Sequence, residues 1–152
     1  MKKILSILLL SVMALTAMAA DGNVTVKYYS SDTEYTSENY ETLAAAATVI
    51  NAATGLTKIE LTVNNSLTET AQVYFRKVDG SEEHTMTIKC ADGCQMPPLE
   101  LGVYSNITIE SANITSTDVP AIKVDDSANV EIQGGTYCST GANTVESGNL
   151  AK

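Results

Sequence analysis

Cationic and metal-binding side chains are scarce in this sequence, and that scarcity removes several classes of function. Arg76 is the only arginine and His84 the only histidine, and 18 acidic residues against 9 basic ones give a formal net charge of −9. A surface of that sign repels the phosphates of nucleic acids and of anionic membranes, so no nucleic-acid partner is expected. The acids are scattered, without a block of like charge that would form a binding tail. Structural zinc needs about four ligands at matched spacing, which His84 with Cys90, Cys94 and Cys138 does not supply. Neither a metal nor a cofactor is expected. Cys90 and Cys94, four apart, are instead a candidate disulfide closing a small loop in an oxidising compartment. Tryptophan is absent and Phe75 is the only phenylalanine, so aromatic character rests on seven tyrosines.

Long apolar runs are also missing, with one exception. Met1-Lys2-Lys3 is a short cationic start, residues 4 to 15 are almost unbroken apolar sequence, and Ala17-Met18-Ala19 is a small-x-small pattern. This is the form of a secretory signal peptide over residues 1 to 19, cleaved between Ala19 and Ala20. The run is shorter than the ~20 residues needed to span a bilayer, and no later segment is a candidate transmembrane helix. A secreted, periplasmic or cell-surface location is expected. Residues 20 to 152 have the length of one domain.

After a lead-in strand region over residues 20 to 36, a helix is expected over residues 38 to 53. Ser37 can cap it, Glu38 and Glu41 fall in the first turn, and Gly55 follows as a stop. Leu43, Ala47 and Ile50 form one apolar stripe, flanked by alanines that keep the helix thin enough to lie flat.

Downstream the periodicity becomes alternating: Ile59/Leu61/Val63, Val73/Phe75, Met86/Ile88, Leu99/Leu101/Val103, Ile107/Ile109, Ile122/Val124 and Val130/Ile132. These short strands repeat. Asn106-Ile-Thr-Ile-Glu-Ser-Ala-Asn113 overlays Asn129-Val-Glu-Ile-Gln-Gly-Gly-Thr136 at an offset of 23, which also carries Ala121-Ile122 onto Thr144-Val145. A step of 21 carries Ile107/Ile109 back onto Met86/Ile88 and Ile122/Val124 onto Leu101/Val103. A looser unit, Ile59/Leu61 then Val73/Phe75, lies 27 and 26 residues earlier than Met86/Ile88 and Leu99/Leu101. Small pairs end each first strand: Cys90-Ala91, Ser111-Ala112 and Gly134-Gly135, with Cys94, Thr115 and Cys138 in line after them. A period of this length without helices indicates a stacked coil of about four rungs, since a single turn cannot bury its own apolar face. An antiparallel sandwich would show hairpin signals and no fixed repeat.

The alanine-rich stretch Thr42-Leu-Ala-Ala-Ala-Ala-Thr-Val-Ile-Asn-Ala-Ala53 and rungs such as Asn129-Val-Glu-Ile-Gln-Gly-Gly-Thr-Tyr137 resemble the N-terminal portion of a right-handed parallel β-helix of the pectate-lyase-like kind, bacterial and secreted or surface-borne. The resemblance implies an all-β solenoid plugged by an N-terminal amphipathic helix. Its enzymes imply calcium-binding acids with a basic proton acceptor, or clustered aspartates. Asp125-Asp126 superficially matches paired catalytic carboxylates, yet no Gly-His-Gly or Arg-x-Lys accompanies it. No catalytic residue is therefore assigned, and His84 reads as a loop residue.

Asp125 and Asp126, with Tyr35 and Tyr40, are the candidate ligand contacts. Tyr28, Tyr29, Tyr35 and Tyr40 either form a sugar-stacking patch or seat the cap on the first rung. A non-catalytic, adhesin-like binding protein for glycan or cell-surface components is expected; the alternative is the N-terminal portion of a polysaccharide lyase or glycoside hydrolase. The register starts a further rung at Lys152, so an open C-terminal edge and self-association through it are also expected.

Overall fold

A computed structural model describes residues 22–30, 33–76, 85–102, 106–125 and 128–147. The signal peptide, His84, Val103, Asp126 and the further rung at Lys152 lie outside them, and Tyr35 is described by its backbone alone.

The alternating segments form β1 (Val24–Ser30), β2 (Thr33–Tyr40), β3 (Lys58–Val63), β4 (Val73–Arg76), β5 (Thr85–Cys90), β6 (Leu99–Gly102), β7 (Asn106–Ser111), β8 (Asn113–Thr117), β9 (Ile122–Val124), β10 (Val130–Ile132), β11 (Thr136–Thr140) and β12 (Val145–Ser147), with one helix, α1 (Leu43–Ala52). They wind into a β-solenoid of about three turns. One face is a sheet ordered β10-β7-β5-β3-β1-β2, the second is β12-β9-β6-β4, and the third is β11-β8. From β3 onward every pairing within these sheets is parallel, each strand lying on its equivalent one turn away.

Parallel stacking puts like residues into columns. Ile59, Met86, Ile107 and Val130 form one, and Leu61, Ile88, Ile109 and Ile132 the next. Val73, Leu99, Ile122 and Val145 form a third on the second face. All members before the last rung are at most 4% exposed. Full burial of such a side chain contributes about 2 kcal/mol, so these columns carry the fold. On the last described rung Ile132 and Val145 are 40% and 46% exposed.

Two registers differ from the sequence reading. Ile122 and Val124 pair with Leu99 and Leu101, a step of 23, because the inward side chains of β6 are Leu99 and Leu101. Cys94 does not align with Thr115: Met96 bridges to Ile114, so Cys94 stands opposite the Ala112 corner, while Cys138 does pair with Thr115. The third face, built on inward Ile114 and Ser116, is absent from the apolar sets above. Its inner row turns polar at Ser116, whose hydroxyl, like that of Ser139, donates to the Val119 carbonyl at 2.7 Å.

The corner at Gly134-Gly135 needs its small residues. Gly135 has φ +120°, and a Cβ there would stand 2.0 Å from the Ala112 carbonyl oxygen. The Thr136 N–H meets that same oxygen at 2.8 Å, so the backbones are drawn together by their own ladder.

The N-terminal end is closed by a hairpin and a helix. β1 lies antiparallel between β2 and β3, extending the first sheet past its first rung. Residues 37 to 40, expected to open the helix, are the end of β2, because β1 offers them a paired edge. The helix begins after Thr42, whose side chain caps the Ala45 N–H. No acid lies in its first turn. Charge reaches its N-terminus from a distant loop: the Glu69 carboxylate accepts from Leu43 N–H at 2.6 Å and Ala44 N–H at 3.0 Å. The buried stripe is Leu43, Ala46, Ala47 and Ile50. Asn51 then treats the edge of β4 as a strand would. Its Nδ2 donates to the Tyr74 carbonyl at 2.8 Å and its Oδ1 accepts from Arg76 N–H at 2.7 Å.

Candidate ligand-binding face

In the β12-β9-β6-β4 sheet Tyr74, Glu100 and Lys123 each stand between two buried residues of β4, β6 and β9, and β12 is exposed throughout, so the polar residues of these strands share the outer surface. The pairings set Tyr74, Glu100, Lys123 and Glu146 in one row across the rungs, and Arg76 beside Gly102 in the next. Asp125 extends the second row: its N–H continues the ladder to the Leu101 carbonyl at 2.9 Å. Rows of this kind are spaced by about 4.8 Å per rung.

Within the rows, three residues far apart in sequence converge. Tyr74 Oη donates to Asp125 Oδ2 at 3.3 Å, reaching across β6. The crossing is open because residue 102 is glycine: a Cβ there would stand 2.7 Å from Asp125 Oδ2 and 3.2 Å from Tyr74 Oη. Partial burial, then the charge and hydrogen bond of Asp125, raise the Tyr74 phenol above its ordinary value, so it remains a donor throughout the neutral range. Beside them Lys123 Nζ meets Glu100 Oε1 at 2.8 Å, and this bond and charge hold the ammonium above its usual value.

Tyr74 also lines a cleft of about 460 Å³ between α1 and the segment leading into β4. Ala44 and Ala47 give it an apolar wall, while Thr48, Asn51 and Gln72 supply polar groups. The face and the cleft therefore share one aromatic residue.

Of the other expected contacts, Tyr40 falls elsewhere. Tyr40 is not a surface contact: it is fully buried, donating to Glu38 Oε2 at 2.5 Å and bonded to Tyr28 Oη at 2.8 Å. Alternation in the cap hairpin turns Tyr28, Glu38 and Tyr40 inward, and burial followed by the Glu38 bond pushes the Tyr40 phenol far above its usual range. Tyr29 points outward, donating to Glu60 Oε2 at 2.7 Å beneath Lys58, whose Nζ lies 5.0 Å from the ring centroid. Lys58, 2.6 Å from Glu60 Oε1, and Tyr29 together hold the Glu60 carboxyl below its usual value. The four N-terminal tyrosines thus do not form one patch.

Cys90, Cys94 and Cys138 are free thiols in this structure. Among the described residues no group of three or more His, Cys, Asp or Glu side chains is placed to hold a metal ion, and no helix is long and apolar enough to cross a membrane.

The sequence reading reached Asp125 but missed its neighbours. The signal for them was present: the same 26-residue step that carries Val73/Phe75 onto Leu99/Leu101 carries Tyr74 onto Glu100 and Arg76 onto Gly102. Comparison of the chain with protein-family models, with curated proteins and with solved structures returns no match.

Proposed function

We propose that this chain is an exported, non-catalytic β-solenoid of adhesin-like type that holds a glycan of a cell or matrix surface on the outer face of its β12-β9-β6-β4 sheet. The observation that carries this reading is the meeting of Tyr74, Gly102 and Asp125. A pyranose ring has a C–H face that stacks on an aromatic ring and a rim of hydroxyls that bond to carboxylates and ammonium groups. Tyr74 supplies the first, and Asp125, Glu100 and Lys123 the second. The glycine beneath the contact of Tyr74 with Asp125 leaves room for the phenol and the carboxylate to meet on one surface, where a ring can touch both. The cleft beside α1 adds a concave wall next to the same tyrosine. The resemblance to pectate-lyase-like β-helices supports a saccharide ligand on a coil of this shape, and the signal-like start supports export.

The recombinant mature chain is screened on a glycan array, and any glycan retained is titrated by calorimetry. Tyr74→Ala and Asp125→Asn are each expected to weaken binding at least about tenfold, equivalent to about 1.4 kcal/mol. Retention of no glycan, or equal affinity in both variants, would overturn the reading. Release of unsaturated products from polyuronides would replace it with the lyase alternative.

A further inference from the structure

Cys90 and Cys94 flank one corner of the coil, away from the proposed binding face. Cys90 ends β5, Gly93 takes φ +77°, and the Cys94 N–H returns to the Ala91 carbonyl at 3.0 Å, closing a tight turn. That turn aims the Cys90 thiol at residue 94, where it donates to the Cys94 carbonyl at 3.1 Å. The Cys94 thiol donates to the Asn64 carbonyl, on the preceding rung, at 3.2 Å. Both are buried, whereas Cys138, the remaining cysteine, is exposed on β11.

The backbone of this corner is held independently of its sulfurs. Ser111 Oγ donates to the Cys90 carbonyl at 2.9 Å and Asn113 Nδ2 to the Cys94 carbonyl at 3.1 Å, both from the following rung. Ala91 N–H bonds to the Val63 carbonyl at 2.8 Å on the preceding one. A thiol is a weak donor, so losing the two S–H bonds removes little, while the turn that brings the sulfurs together stays fixed from both sides.

We propose that the Cys90–Cys94 corner is a dithiol–disulfide site, closed by thiol–disulfide exchange in an oxidising environment. The two S–H bonds break and one Sγ–Sγ bond forms. Two electrons pass to a low-molecular-weight disulfide such as oxidised glutathione, which leaves as two thiols carrying the two protons. Closure releases the Asn64 carbonyl from its thiol partner and leaves the Ser111 and Asn113 bonds intact. Burial raises the Cys90 thiol above its ordinary value, so attacking thiolate is scarce in the folded chain and closure belongs to folding.

The test refolds the mature chain from denaturant in a mixed reduced and oxidised glutathione buffer, with a parallel sample held in excess reductant. Each is then quenched, denatured and alkylated without further reduction, and analysed by intact mass and peptide mapping. The oxidised sample is expected to be lighter by two hydrogens before alkylation, to take label at Cys138 alone, and to yield a peptide linking Cys90 to Cys94. Cys138→Ser should give the same linked peptide and no label. Label on Cys90 and Cys94 after refolding in oxidant, or linkage of either one to Cys138, would overturn the assignment.

Discussion

At the scale of single residues, the coil is most demanding at its corners. Gly135 combines a left-handed φ of +120° with a backbone approach that leaves a Cβ 2.0 Å from the Ala112 oxygen, whereas Gly55, at φ +74°, has nothing within 4 Å of its added Cβ. Gly135→Ala is expected to destabilise the protein by about 3 kcal/mol and Gly55→Ala by about 1 kcal/mol, the cost of the dihedral alone. Urea unfolding of the two variants beside the parent checks the ordering, and equal losses would contradict the close approach. The pair Gly134-Gly135 stood out in the sequence because its counterparts Ser111-Ala112 and Cys90-Ala91 are also small. Gly102 gave no such signal, for its reason to be glycine is a hydrogen bond between the side chains of Tyr74 on β4 and Asp125 just after β9.

At the scale of elements, the cap is where local propensity and tertiary context part. Ser37, Glu38 and Glu41 make a good helix start on paper, yet Thr33–Tyr40 is a strand because β1 presents a free edge to pair with. The hydrogen bonds gained along that edge, and burial of Tyr40, outweigh the few tenths of a kcal/mol per residue that separate helix propensities. The helix that remains still does what its alanine stripe implies and covers the N-terminal end of the coil, with Asn51 satisfying the outer edge of β4. Asn51→Ala strips both bonds from that edge and should cost about 1–2 kcal/mol. Thr48→Ala, on the exposed side of the same helix, should change stability by less than about 0.5 kcal/mol. Thermal or urea unfolding of both variants distinguishes a β4-specific contact from a general effect on the helix.

At the scale of the whole molecule, stability should grade along the coil axis, because each rung is buried by its neighbours. Ile109 is fully buried between Ile88 and Ile132, whereas Ile132, on the last described rung, is 40% exposed. Ile109→Ala is expected to cost about 3 kcal/mol and Ile132→Ala about 1 kcal/mol or less, read from urea midpoints at constant slope. Similar losses at both sites would mean that the last rung is covered. The sequence by itself determined the coil: alternation and a 23-residue repeat are local and periodic facts, and stacking is the arrangement that buries every repeat at once. Tertiary structure alone decided where the repeat slips at β6, which of the crowded N-terminal tyrosines turn inward, and that Asp125 joins the surface of Tyr74 and Gly102. Those outcomes depend on which strand edge lies next to which, a relation between strands that the local pattern of no one strand contains.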